Sequence, residues 1–214
     1  MLLDKDIREP LFEFLEEKLG KVRFLEEKMM GRSRADVIMI TEDEICGIEI
    51  KSDADSYARL KRQVPDYCIY FDKNYVVVGS THGMHVAEHV PDDWGIITVE
   101  ETADGNGAAD FYILREALPN PDCDPARKIT ILWRPELVRI QALNDLPAYK
   151  TKSKAFVQQV IMDRVPYEIW QKQMCEELLQ RDYTTIHEEI NAFRTENGMK
   201  KRIRKKRRKR RSLI

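Results

Sequence analysis

Two short runs of strand-forming residues, 34–41 and 45–52, constrain this 214-residue chain more than any other feature. The first reads Arg34-Ala35-Asp36-Val37-Ile38-Met39-Ile40-Thr41 and the second Ile45-Cys46-Gly47-Ile48-Glu49-Ile50-Lys51-Ser52, with only Glu42-Asp43-Glu44 between them. They predict a β-hairpin. Successive side chains of a strand alternate faces, so Glu49 and Lys51 share one face while Ile48 and Ile50 take the other. With Glu42-Asp43 as a two-residue turn, Thr41 pairs with Glu44, and the same antiparallel register sets Asp36 opposite Glu49. An aspartate, a glutamate and a lysine then meet in one spot.

That trio suits metal-dependent phosphodiester cleavage. Mg²⁺ takes hard oxygen ligands, commonly one or two carboxylates with waters and a substrate phosphate, and Asp36 and Glu49 supply the carboxylates. The main-chain carbonyl of Ile50 could add a third oxygen. Mn²⁺ would serve equally, and Lys51 could orient the attacking water or offset charge on the phosphate. The pattern Glu-x-Lys occurs three times, at Glu16, Glu26 and Glu49, but only the third lies in an alternating strand that follows an aspartate-bearing one. Core-like strands seldom carry unpaired charge. The alternative is a structural Asp/Glu/Lys ion-pair cluster on an edge hairpin.

The order helix, strand, Asp36 strand, Glu49-Ile50-Lys51 strand, helix, strand resembles the PD-(D/E)XK nuclease superfamily, and in particular a bacterial and phage branch of it. Glu49-Ile50-Lys51-Ser52-Asp53, Arg59-Leu60, Arg62-Gln63, Tyr67, Tyr75-Val76-Val77-Val78-Gly79 and Pro91-Asp92-Asp93-Trp94-Gly95 carry the likeness. It implies an α/β, restriction-endonuclease-like mixed sheet flanked by helices, and a Mg²⁺-dependent nuclease acting on DNA, with RNA as the other substrate. Gln63 and Tyr67 stand at the Gln-x-x-x-Tyr spacing of some members, which would make them catalytic helpers beside Asp36, Glu49 and Lys51. Members with a further acidic metal ligand place it on the first helix or just after it, where Glu9, Glu13, Glu16 and Glu27 are candidates and Glu27 leads. Arg34, Ser52 and Arg59 are candidate nucleic-acid contacts. Pro65 falls between Gln63 and Tyr67 and predicts a kink there.

Charge is divided sharply along the chain. Residues 200–211 are all Lys or Arg apart from Ile203: Lys200, Lys201, Arg202, Arg204, Lys205, Lys206, Arg207, Arg208, Lys209, Arg210 and Arg211. These 11 of the 36 basic residues leave 25 facing all 37 acidic ones in residues 1–199, a net charge of −12 hidden under an overall −1. A segment of this kind cannot bury apolar surface and is expected to be disordered alone, yet it attracts phosphates whatever their sequence. In a eukaryotic cell it would read as a nuclear-localisation signal.

Three parts are expected: a nuclease core over 1–118, a helical extension over 119–199 and the basic tail over 200–214. In the core, a helix opens at Asp6 and ends at Gly20, a second spans 56–71, strands occupy 75–80 and 95–99, a short helix 84–90, and an edge strand 111–114. Pro119-Asn120-Pro121-Asp122 marks the boundary. Beyond it, 137–143, 153–164 and 167–179 are helical in period and 188–194 continue them. These helices could brace the sheet, form a homodimer surface or guide nucleic acid. His82, His85 and His89 fall at helical spacing, but the polar face of a surface helix explains them. Four cysteines at 46, 68, 123 and 175 form no Cys-x-x-Cys pair and read as reduced thiols. No apolar run approaches the roughly 20 residues of a membrane span, and the polar start suits no signal peptide, so a cytoplasmic protein is expected. The rival to a nuclease is a non-catalytic nucleic-acid-binding protein on the same fold; a dimeric junction endonuclease is a third reading.

Overall fold

The computed structural model describes residues 2–52, 55, 57–79, 83, 85–102, 109–183, 192 and 195. Six strands form one sheet in chain order: β1 (Arg23–Met30), β2 (Ser33–Ile40), β3 (Ile45–Lys51), β4 (Lys73–Gly79), β5 (Gly95–Glu101) and β6 (Ala109–Arg115). The first three are antiparallel, β3, β4 and β5 run parallel, and β6 returns antiparallel along the edge. Parallel neighbours need a crossover. Helix α2 (Leu60–Tyr70) supplies the one from β3 to β4. The hairpin register is the expected one, with Val37 opposite Ile48, Ile40 opposite Ile45, and the Thr41 N–H bonded to the Glu44 carbonyl at 3.0 Å.

Both faces of the sheet are covered, which is why its central strands read as near-continuous apolar runs. Helix α1 (Asp4–Leu19) lays Ile7, Leu11 and Leu15 on Val37, Met39, Ile48, Ile50, Val77 and Ile97. On the opposite face, Ile38, Ile40, Val76 and Val78 share one core with α2 and the C-terminal helices. Those helices are the short α3 (Pro125–Lys128), α4 (Arg134–Leu143), α5 (Lys154–Arg164) and α6 (Tyr167–Leu179). Lys128, wholly buried, joins them to the sheet: its Nζ lies 2.5 Å from Asp72 Oδ1 and 2.6 Å from the Tyr167 hydroxyl, while Gln171 Nε2 donates to Asp72 Oδ2 at 2.9 Å.

Three local expectations are corrected. Helix α1 begins at Asp4, two residues before Asp6. Asp6 is its third residue and reaches back to accept the Leu3 N–H at 3.1 Å, while the Leu3 carbonyl accepts the Asp6 N–H at 2.9 Å, so it caps the helix from inside. Helix α2 is shorter than 56–71 and runs unbroken through Pro65. Burial of Leu60, Tyr67 and Cys68 outweighs the roughly 3 kcal/mol that an internal proline costs. In place of a helix over 84–90 there is a single 3-10 turn at Val86–Glu88, with His85 and His89 exposed at its two ends and His82 outside the described residues. The cysteines are free, three of them buried. The basic tail and the segment 188–194 lie outside the described residues, apart from the single position 192. No helix among the described residues is long and apolar enough to cross a membrane.

Candidate active site

The site begins with Gly47. A Cβ there would stand 2.3 Å from a Phe71 ring carbon and 2.6 Å from one of Tyr67, so only glycine lets α2 lie this close to β3. The close approach delivers two side chains of α2 to the end of β3. Gln63 Nε2 donates to Glu49 Oε1 at 2.5 Å, its Oε1 accepts from Lys51 Nζ at 3.3 Å, and the Tyr67 hydroxyl donates to Glu49 Oε2 at 2.6 Å. Positions four apart on a helix share a face, which is how one element serves both oxygens of the carboxylate. Pro65 does not prevent it.

Glu49 and Lys51 are buried, at 0% and 3% exposure, and are ion-paired through Glu49 Oε1 and Lys51 Nζ. Asp36 closes the group from β2. Its Oδ2 accepts the Ile50 N–H at 3.1 Å, and its own N–H donates to the Tyr67 hydroxyl at 3.1 Å. Burial, with the charge of Glu49 added, pushes the Asp36 carboxyl up to about 7, against which the Ile50 N–H, Lys51 and Arg8 pull down. Burial likewise holds the Tyr67 phenol well above its ordinary value, so the hydroxyl stays a donor.

Arg8 of α1 was not singled out in the sequence. Its Nη1 donates to the Asp36 carbonyl and to Glu26 Oε2, both at 3.1 Å, its Nε donates to Asp4 Oδ2 at 3.0 Å, and its Nη2 lies 3.9 Å from Asp36 Oδ1. The one sequence signal was Asp4 and Arg8 spaced a helical turn apart. Glu27 falls between Glu26 and Lys28, which pair with Val37 and Ala35 on either side of Asp36, and has a positive φ of 53°, uncommon for a residue with a side chain. Its carboxylate is held by Arg34 Nη1 at 2.8 Å and lies 3.8 Å from Arg8. Ser52 gives both its N–H (3.1 Å) and its hydroxyl (2.8 Å) to Asp55 Oδ2, and Arg59 reaches Asp55 at 3.3 Å.

Asp36, Glu49, Lys51, Gln63, Arg8 and Glu27 line one cleft of about 860 Å³, together with Arg32, Lys61 and Arg62. The donor set fits a hard divalent cation that keeps several waters. Asp36 and Glu49 could offer two carboxylate oxygens, the charge of Glu49 raising the Asp36 carboxyl, and no third His, Cys, Asp or Glu completes a protein-only metal cage among the described residues. Asp36, Glu49 and the Ile50 carbonyl would hold Mg²⁺ or Mn²⁺ there.

Comparison with known families decides the chain's kinship: the family described as Bacteriophage P4 protein cII matches residues 2–209, nearly its full length. This chain belongs to that family. No curated protein matches the chain. Among solved structures, SfsA from Pyrococcus furiosus in complex with Ca²⁺ aligns over 50% of this chain at 14% identity and a TM-score of 0.31. The alignment spans 59% of that protein, and a superposition this loose does not bear on the site.

Proposed function

We propose that this protein is a Mg²⁺- or Mn²⁺-dependent nuclease of the PD-(D/E)XK type, with DNA as its substrate. The observation that carries the reading is the convergence of Asp36, Glu49, Lys51 and Gln63 in one charged cleft, with Tyr67 bonded to Glu49 from α2 and Lys51 between strand and helix. An arrangement that raises one carboxyl to about 7 is costly as mere scaffolding, and perturbed groups of this kind gather at functional sites.

The metal supplies a lowered water pKa and offsets charge on the phosphate. Asp36 and Glu49 would hold it, and Ile50 fixes the Asp36 rotamer through its N–H. Gln63 and Tyr67 set the two oxygens of Glu49, so the carboxylate keeps its orientation when Lys51 turns towards a phosphate oxygen or the attacking water. Arg8 anchors the Asp36 backbone from the other face of the sheet.

Circular, linear and branched DNA incubated with and without Mg²⁺ or Mn²⁺ tests the reading, with Asp36→Ala, Glu49→Ala and Lys51→Ala as controls. Metal-dependent cleavage is expected, and each variant should lose on the order of a thousandfold in rate, several kcal/mol of barrier. Equal cleavage by any of the three would remove that residue from the site. A second reading, a nucleic-acid-binding protein that does not cut, draws support from Glu49 already accepting from three donors, and DNA bound but uncut with either metal would favour it.

A further inference from the structure

Several cations on the described surface have acidic partners, among them Lys18 with Glu116, Lys21 with Glu42, Lys73 with Glu44 and Arg139 with Glu177. Three at the cleft mouth do not. Arg32, Lys61 and Arg62 are exposed, line the same cleft as Glu49 and Lys51, and make no ion pair among the described residues. Two construction details hold them together. Lys61 and Arg62 lie in the first turn of α2, which carries no acidic residue, and the positive end of a helix disfavours cations there. Arg32 sits in the turn between β1 and β2, and that turn is clamped to α2: the Arg32 N–H donates to Asp66 Oδ2 at 3.1 Å, and Gly31, at φ 58°, packs so tightly that a Cβ would meet Asp66 Oδ1 at 2.8 Å. Asp66 is one helical turn beyond Arg62, so the clamp brings Arg32 to the same face of α2. The nearby acid that could have paired with Arg62 is spent on the hairpin backbone.

On a body with a net charge of −12, three neighbouring uncompensated cations repel one another for no internal gain. We propose that Arg32, Lys61 and Arg62 form a phosphate-binding patch that holds the sugar-phosphate backbone of a nucleic acid beside the linkage presented to Glu49 and Lys51. The assignment rests on reading the cleft as a nucleic-acid site. It adds a site separate from the basic tail and carries no base specificity, since phosphate contacts fix position and leave sequence unread.

The test measures binding of the full chain to a labelled DNA duplex and to an RNA duplex of the same sequence in metal-free buffer across a salt series. The Arg32→Ala/Lys61→Ala/Arg62→Ala variant is set against the parent and against Lys150→Ala/Arg164→Ala/Lys172→Ala, which removes three exposed cations of the extension. Each lost phosphate contact should flatten the slope of log affinity against log salt by about 0.9, so between about 50 and 200 mM salt the parent should lose about fortyfold more affinity than the cleft variant. The extension variant should keep the parent's slope. DNA and RNA responding alike would reflect shared phosphate contacts, and a response confined to one names the ligand. Matching slopes for the cleft and extension variants on both duplexes would overturn the patch. Because no cleavage is read, flattened slopes with no nuclease activity in Mg²⁺ would leave the patch standing and remove the nuclease.

Discussion

Tyr67 spends its one hydroxyl proton on a carboxylate whose side chain is 1% exposed, and at the same time accepts the Asp36 N–H. A hydrogen bond to a buried charge contributes more than a neutral one, and its loss leaves an oxygen of Glu49 without a donor. Tyr67→Phe should therefore lower stability by about 1.5–3 kcal/mol, read as a shift in the urea midpoint at unchanged slope. Cleavage should slow with it, because Glu49 would be free to rotate. An unchanged midpoint would mean that the hydroxyl does not serve that carboxylate. Glu27 shows how residue-scale logic can place a group and miss its partner. The strand pairing puts it beside Asp36, and two guanidiniums, of Arg34 and Arg8, take its charge.

Among the elements, α2 matters most, because it carries Gln63, Tyr67 and the basic first turn on one rod. Its seat is Gly47. Gly47→Ala would press a methyl into the Phe71 and Tyr67 rings at under 3 Å, so the helix must lift. The expected cost is about 1–3 kcal/mol of stability. The informative readout is activity measured well below the unfolding midpoint: it should fall together with stability, since Gln63 and Tyr67 leave Glu49 as the helix lifts. A destabilised variant that is slow while still folded supports this; a variant with full activity places the constraint elsewhere.

For the whole molecule, Lys128 joins the extension to the sheet. Lys128→Met keeps the volume but leaves Asp72 with the neutral donors of the Ile45 N–H, Gln171 and the Tyr167 hydroxyl, and breaking a buried pair costs about 3–5 kcal/mol. Circular dichroism and tryptophan fluorescence should still report one coincident transition at lower denaturant, since the sheet and the helices share a core. Two separate transitions would show the extension to be an independent unit. The basic segment acts at this scale too. If about six to eight of its 11 cations engage duplex DNA, ending the chain at Gly198 should weaken binding steeply at low salt and flatten the salt slope by about 0.9 per contact, with turnover at saturating substrate kept. An unchanged affinity and slope would assign the segment to another partner.

The hairpin was legible in the sequence because strand alternation and a two-residue turn are local rules, and once Thr41 pairs with Glu44 the position of Asp36 follows. The helical periods of the extension were legible for the same reason, and so was the charge division. What local rules could not carry were contacts between elements distant in sequence. The cost of Pro65 was visible, but the packing that outweighs it was not. Arg8 reaches Asp36 across 28 residues, the Gly31 turn clamps Asp66 across more than 30, and Lys128 meets Asp72 across 56. Residue types and spacing determined which groups could do chemistry. Close packing of α1 and α2 on opposite faces of one sheet decided which of them meet, because a carboxylate acquires its partners and its proton affinity from neighbours that only the folded chain supplies.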